Sequence, residues 1–191
     1  MNKNIIFVAI IIALCALAQL SLLLGVDWLQ FTRTNIDMGQ WWRFLTANLV
    51  HLTWRHFAMN ALALVAIFAL FPRTLNVKAM FLVFLLSCLS VTIGIWVFSP
   101  EIHWYVGLSG ALHGLLVALI IIDYAIHKNG LNIFLMLAII AKLVWEGMMG
   151  ALPGSESTAG GPVVVQAHFY GFVGGLITAA CMFIFNKNKK L

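Results

Sequence analysis

Six long apolar runs dominate the chain, at about residues 5–25, 46–71, 78–98, 107–126, 131–150 and 165–185. Nothing else in the sequence restricts the fold as strongly. A run of about 20 residues, coiled at about 1.5 Å per residue, matches the roughly 30 Å hydrocarbon core of a bilayer. Only 9% of the residues are charged and 63% are hydrophobic, whereas soluble domains carry about 25% charged residues. A soluble fold is therefore excluded. The expected class is an all-α integral membrane bundle of six transmembrane helices. Of the 191 residues, about 70 fall outside the spans, too few for a second folded domain. One membrane domain covering 1–191 is expected.

The net charge of +5 would suit a nucleic-acid partner, but the basic residues are scattered singly and at the ends. They read as membrane flanks, and no nucleic acid is expected. Lys3, Arg73, Lys78, Lys128, Lys187, Lys189 and Lys190 share one side of the six-span topology. Arg33, Arg43 and Arg55 share the other, with Lys142 inside span five. The positive-inside rule then places both termini in the cytoplasm. The first run is too long for a signal-peptide core and lacks a clear cleavage site. Leu14 before Cys15 does not fit a lipoprotein signal either. Cys15, Cys88 and Cys181 lie in apolar runs and read as buried thiols with no disulfide framework. Loop one, about 26–45, carries Trp28, Phe31, Trp41, Trp42 and Phe44 among polar residues, which suits the membrane interface. Loop five, Ala151–Pro162, is rich in Gly, Ser and Pro and is expected to be mobile.

Polar side chains inside spans are costly and need a reason. Counting from the cytoplasmic ends puts Asn60, Ser109, Glu146, His56 and His168 roughly 20–27 Å up, in one layer below the outer surface. His56 and Asn60 are four apart and share a helix face. So do Gly110 and Gly114 beside Ser109, and Gly171 and Gly175 after His168. Two such small-residue faces allow two backbones to approach closely. If spans four and six pack through them, Ser109 and His168 meet at the outer end of the seam. A serine beside a histidine is the minimum for an activated nucleophile. Ser109 also sits in the first turn of its helix, where backbone N–H groups are unpaired. Those groups, with the His56 and Asn60 side chains, are candidate oxyanion donors.

These residues resemble the rhomboid intramembrane serine proteases, and more narrowly the rhombosortase branch. Trp42-Arg43 is similar to the rhomboid Trp-Arg motif. His51, His56 and Asn60 are similar to the His/Asn motif. Gly107-Leu108-Ser109-Gly110 is the nucleophile motif, and Ala167-His168-x-x-Gly171-x-x-x-Gly175 the catalytic-histidine motif. The motifs occur in family order, and the six-span core covers nearly the whole chain. The resemblance implies Ser109 as nucleophile, His168 as base, and His56, Asn60 and the Ser109 N–H as oxyanion hole. It implies a dyad with no third acid, no cofactor and no metal. Many rhomboids carry a tyrosine four residues after the serine, packed on the catalytic histidine. Here that position is His113, which would stack on His168 or hydrogen-bond to it. The Gly-Leu-Ser-Gly-x-Leu-His-Gly string points to rhombosortases. These act on secreted proteins ending in a Gly-Gly motif, an apolar helix and a basic tail, with acyl transfer to an amine as well as to water. A bacterial inner-membrane location, with the site facing the periplasm, follows from the same resemblance.

Several residues also have plainer roles. His51 and Gly107 are candidates to contact substrate or support the site, though His51 more plainly ties loop one to span two, and Trp42 and Arg43 are expected to anchor the interface loop. Lys142 and Glu146 are four apart and either pair with each other or turn Glu146 toward the site, to bind substrate N–H groups or an attacking amine. Three rival functions fit parts of the sequence. The first is a metal or haem protein using the outer histidines (His51, His56, His103, His113 and His168). The second is an inactive rhomboid-like binding protein, and the third a transporter. A protease of other single-span substrates is the alternative within the family.

Overall fold

A computed structural model describes residues 3–25 and 27–186, apart from the side chains of Lys3, Leu23, Phe185 and Asn186. The side chains of Lys3, Lys187, Lys189 and Lys190, used above to orient the chain, lie outside the described set. Among the described residues the architecture is all-α apart from one two-residue strand pair. The helices are α1 (Lys3–Leu23), α2 (Arg33–Asp37), α3 (Arg43–Thr46), α4 (Trp54–Leu70), α5 (Val77–Phe98), α6 (Ser109–His127), α7 (Gly130–Met149), α8 (Ser155–Ala159) and α9 (Val165–Asn186). Five are long and apolar enough to cross a membrane, and α4 makes a sixth when joined to the bent segment before it. The chain is a multi-pass membrane protein.

Local chemistry sets the helix ends. The Thr53 side chain accepts from the His56 N–H and starts α4, while Asn76 and Asn129 cap α5 and α7 in the same way. Pro72 follows the end of α4, and α6 stops at Lys128, whose φ is +52°.

The second apolar run is not the single helix expected from 46 to 71. Arg43–Leu49 and Trp54–Leu70 meet at 93°. Val50 is extended, and Thr53 is extended while capping the new helix, so the chain turns at Val50–Thr53. His51 therefore sits in the bend, outside α4. Its backbone N–H bonds Gln19 Oε1 of α1 at 3.0 Å. The turn thus ties span two to span one.

Helix α6 is the centre of the bundle and buries most of its length, whereas α7 is peripheral and buries little. Leu115, Val117, Ala118 and Leu119 of α6 are fully enclosed. Most of α7, including Phe134, Leu137 and Val144, faces outward and would meet lipid. The α6–α9 seam is a backbone-to-backbone contact. A Cβ on Gly110 would lie 2.7 Å from the Ala167 carbonyl oxygen, and one on Gly114 2.6 Å from that of Gly171. At Gly171 and Gly175 a Cβ would run into the carbonyls of Gly110 and Gly114. Only glycine permits this approach.

Loop one folds into a compact unit. Arg43, 1% exposed, donates to the Asp27 and Gln30 carbonyls at 2.8 and 2.6 Å and to Gln40 Oε1 at 2.7 Å. Trp42 Nε1 donates to the Trp28 carbonyl at 3.0 Å, and Trp28 and Trp41 project outward. A short antiparallel pair, Phe31–Thr32 with Trp104–Tyr105, joins loop one to loop three.

Candidate active site

The α5–α6 connection positions Ser109. Gly107 has φ +133°, a conformation that favours glycine, and its N–H donates to the Ala47 carbonyl at 3.1 Å. The buried Tyr105 hydroxyl donates to the Gly107 carbonyl at 2.6 Å. Burial pushes the Tyr105 pKa upward, so the hydroxyl keeps its proton. These bonds fix where α6 begins, and Ser109 is its first residue.

His168 lies in the first turn of α9, directly above the glycine seam. Its Nε2 is 2.9 Å from Ser109 Oγ. His113, one turn after Ser109, stacks on the His168 ring with centroids 4.5 Å apart and planes 23° apart. It does this while donating from Nδ1 to the Ser109 carbonyl at 2.7 Å. His113 thus fills the family's tyrosine position by stacking, and its bond goes to the serine backbone.

The other face of His168 meets α7. Glu146 Oε2 is 2.8 Å from His168 Nδ1, and Glu146 Oε1 is 2.7 Å from Lys142 Nζ. Lys142 Nζ is itself 3.2 Å from His168 Nδ1. Glu146 is 4% exposed and His168 5%. Lys142 and Glu146 pair, as their spacing allows, and Glu146 also turns toward the site, where its second oxygen meets His168. The resemblance implied no third acid, yet a carboxylate sits on the second nitrogen of His168. Sequence spacing reveals the Lys142–Glu146 pair but not the rotation of α7 that aims it at α9.

His56 and Asn60 line the same cavity from α4. The Leu52 N–H donates to His56 Nδ1 at 3.4 Å, which leaves Nε2 of a neutral ring as the N–H. Asn60 is 5% exposed and its Nδ2 has no partner among the described residues. Gly107 backs the His56 ring, since a Cβ there would lie 3.1 Å from His56 Cε1. His51 does not line the cavity. It packs edge-on against His56 and Phe57, with centroids 5.0 and 5.6 Å away.

The cavity holds about 270 Å³. Loop five forms its cover and is more ordered than its composition predicts. It contains α8, whose Ala159 carbonyl accepts from Thr53 Oγ1 at 2.9 Å, and Val163 N–H donates to Glu156 Oε1 at 3.2 Å. Thr53 thus caps α4 and pins the cover, a double role that the Thr-x-x-His spacing does not reveal. Among the described residues no group of three or more His, Cys, Asp or Glu side chains is arranged to hold a metal ion.

The rhomboid domain model matches residues 38–185, which include every residue of this cavity. The chain belongs to the rhomboid family. Two rhomboid relatives come from Bacillus subtilis (strain 168). "Rhomboid protease GluP" is 28% identical over 147 residues, covering 77% of this chain and 27% of that protein. "Putative rhomboid protease YdcA" is 26% identical over 144 residues, covering 75% of this chain and 68% of that protein. The chain thus spans about a quarter of the first rhomboid relative and about two thirds of the second.

Proposed function

We propose that this rhomboid chain is an intramembrane serine protease with Ser109 as nucleophile and His168 as general base. The carrying observation is the 2.9 Å separation of Ser109 Oγ and His168 Nε2 in a partly open cavity between transmembrane helices. That distance is within hydrogen-bond reach for a base and its nucleophile. The Ser109 hydroxyl proton passes to His168 Nε2 as Oγ bonds the scissile carbonyl carbon. The carbonyl oxygen takes the electron pair. Its donors are the Ser109 N–H, the His56 Nε2–H and the Asn60 amide. The unpartnered Asn60 Nδ2 supports this role, because a buried donor without an acceptor is costly unless one arrives with substrate. The oxyanion then collapses, the C–N bond breaks, and His168 protonates the leaving amine. Water or an amine resolves the acyl-enzyme.

The substrate is a membrane protein whose helix unwinds at its outer end, exposing a peptide bond that helical hydrogen bonding shields. Glycine makes unwinding cheap. The Gly107–Gly114 string, with His113 at the tyrosine position, supports a tail of Gly-Gly, apolar helix and basic residues, with transfer to an amine competing with hydrolysis. The basic flanks support cytoplasmic termini, and the rhombosortase resemblance supports a bacterial inner membrane. The test is co-expression of such a tail reporter with wild type, Ser109→Ala or His168→Ala, reading product masses. Cleavage by wild type alone is expected, with a product heavier than simple hydrolysis gives if transfer occurs. Ser109-dependent cleavage confined to an ordinary single-span substrate would remove the tail specificity. No Ser109-dependent cleavage of either would remove the protease reading in favour of a membrane-client binding protein.

A further inference from the structure

We propose that Glu146 is a positioning residue for His168, completing a Ser109–His168–Glu146 relay with Lys142 as its counter-ion. The inference rests on the serine protease reading above. A neutral imidazole has one N–H and one lone pair. For His168 to take the Ser109 proton, Nε2 must offer the lone pair, so Nδ1 must carry the hydrogen. Two groups within reach of Nδ1 favour opposite tautomers. Glu146 Oε2, at 2.8 Å, accepts a hydrogen bond and holds the proton on Nδ1. The Lys142 ammonium, at 3.2 Å, can only donate. A bond from Lys142 would put the hydrogen on Nε2 and turn that nitrogen into a donor toward Ser109, which blocks proton transfer.

The distances decide between them. The carboxylate is nearer, and the ammonium has its closest partner elsewhere, on Glu146 Oε1 at 2.7 Å. A simple helix-surface ion pair needs only that one oxygen. The second oxygen is instead spent on His168, in a site where Glu146 and His168 are 4% and 5% exposed. When Ser109 attacks, its proton moves to Nε2 and the Nδ1 proton stays in place. The imidazolium then lies beside a carboxylate in poorly screened surroundings. The Nε2 proton leaves with the amine, and Glu146 is never protonated. His113 stacks on the ring and holds its plane, but contacts neither ring nitrogen of His168 with a hydrogen bond. Among the described residues, only α7 supplies the acceptor for Nδ1.

The test compares initial rates of reporter cleavage by purified wild type, Glu146→Gln, Glu146→Asp and the double variant Lys142→Met with Glu146→Gln. Ser109→Ala sets the background. Glu146→Gln is expected to lower kcat by between about 10²-fold and about 10⁴-fold, the range for losing general-base function or the correct tautomer. KM should stay within about twofold, since no substrate contact is removed. Glu146→Asp should recover part of the loss. The double variant should stay as impaired as Glu146→Gln. Its return to wild-type kcat would overturn the relay, because Glu146 would then serve only to neutralise Lys142. Wild-type kcat in Glu146→Gln, or a loss confined to KM, would overturn it too. Nitrogen NMR of ¹⁵N-histidine-labelled protein gives a readout independent of turnover. His168 should carry its proton on Nδ1 in wild type and lose that preference in Glu146→Gln. The same tautomer in both would refute the proposal. If wild type shows no Ser109-dependent cleavage, the protease reading fails and the relay falls with it. Ser109-dependent cleavage with unimpaired Glu146 variants defeats the relay alone.

Discussion

Gly114→Ala isolates the seam that brings Ser109 to His168. A Cβ at this position would lie 2.6 Å from the Gly171 carbonyl oxygen and 2.6 Å from Ser87 Oγ. Ordinary contact begins at 3.4 Å. Ser87 donates to the Val83 carbonyl at 2.8 Å and is fully buried, so it has little room to retreat. The added methyl must push α9 away from α6 by roughly 1 Å, since close-packed interiors transmit strain and do not absorb it. Overpacking of this kind costs about 1–3 kcal/mol. Because His168 sits at the top of the displaced helix, the Ser109–His168 distance should lengthen, and a misplacement of about 1 Å costs about 10²-fold in rate. Cys181 is exposed, unlike the buried thiol its apolar run suggests, so stability is read from the thermal onset of thiol labelling in a Cys181→Ser background, where the remaining Cys15 and Cys88 are both buried. Gly147→Ala is the control, because nothing lies within 4 Å of its Cβ position. It should be neutral or stabilising by up to about 1 kcal/mol through helix propensity. Equal melting and equal kcat in Gly114→Ala and Gly147→Ala would refute the idea that the glycine seam sets the geometry.

Other perturbations separate catalysis from folding. Asn60→Ala should lower kcat by about 10²–10³-fold, the cost of one oxyanion donor, with no loss of thermal stability, because the amide nitrogen it removes has no partner among the described residues. His113→Phe keeps the stack on His168 and should retain most activity, whereas His113→Ala should lose roughly tenfold in kcat, the worth of a stacked ring pair. Arg43→Lys should leave the buried carbonyls of Asp27 and Gln30 under-satisfied and cost about 2–4 kcal/mol in the thiol-labelling melt. Its kcat per folded molecule should change far less than that of Asn60→Ala.

Five of the six spans were legible because long apolar runs admit few alternatives in lipid. Their ends agree with the sequence reading to within a few residues. The 93° bend was not read, because run length and hydropathy are blind to direction. The Thr53 cap was its only local signal. Close approach of α6 and α9 followed from the four-residue glycine spacing, since no other residue allows backbones so near. The strand pair between loops one and three left no trace, as two residues have no periodicity to detect. The Gly, Ser and Pro content of loop five predicts a mobile segment. Composition reports what a segment can do, not the tertiary bonds from Thr53 and Glu156 that hold it. The carboxylate on His168 lay furthest from view. Depth along α7 could be counted from the sequence, but its rotation about its own axis could not. Rotation decides whether Glu146 meets lipid, Lys142 alone, or His168.

The central claim is that Ser109 is a nucleophile activated by His168, and its most direct test needs no substrate. Purified protein would be treated with a fluorophosphonate, and the site and mass of any covalent adduct read by mass spectrometry. A single adduct on Ser109, absent in Ser109→Ala and strongly slowed in His168→Ala, is the expected result. No adduct on wild type, or an adduct that forms equally well in Ser109→Ala, would contradict the account.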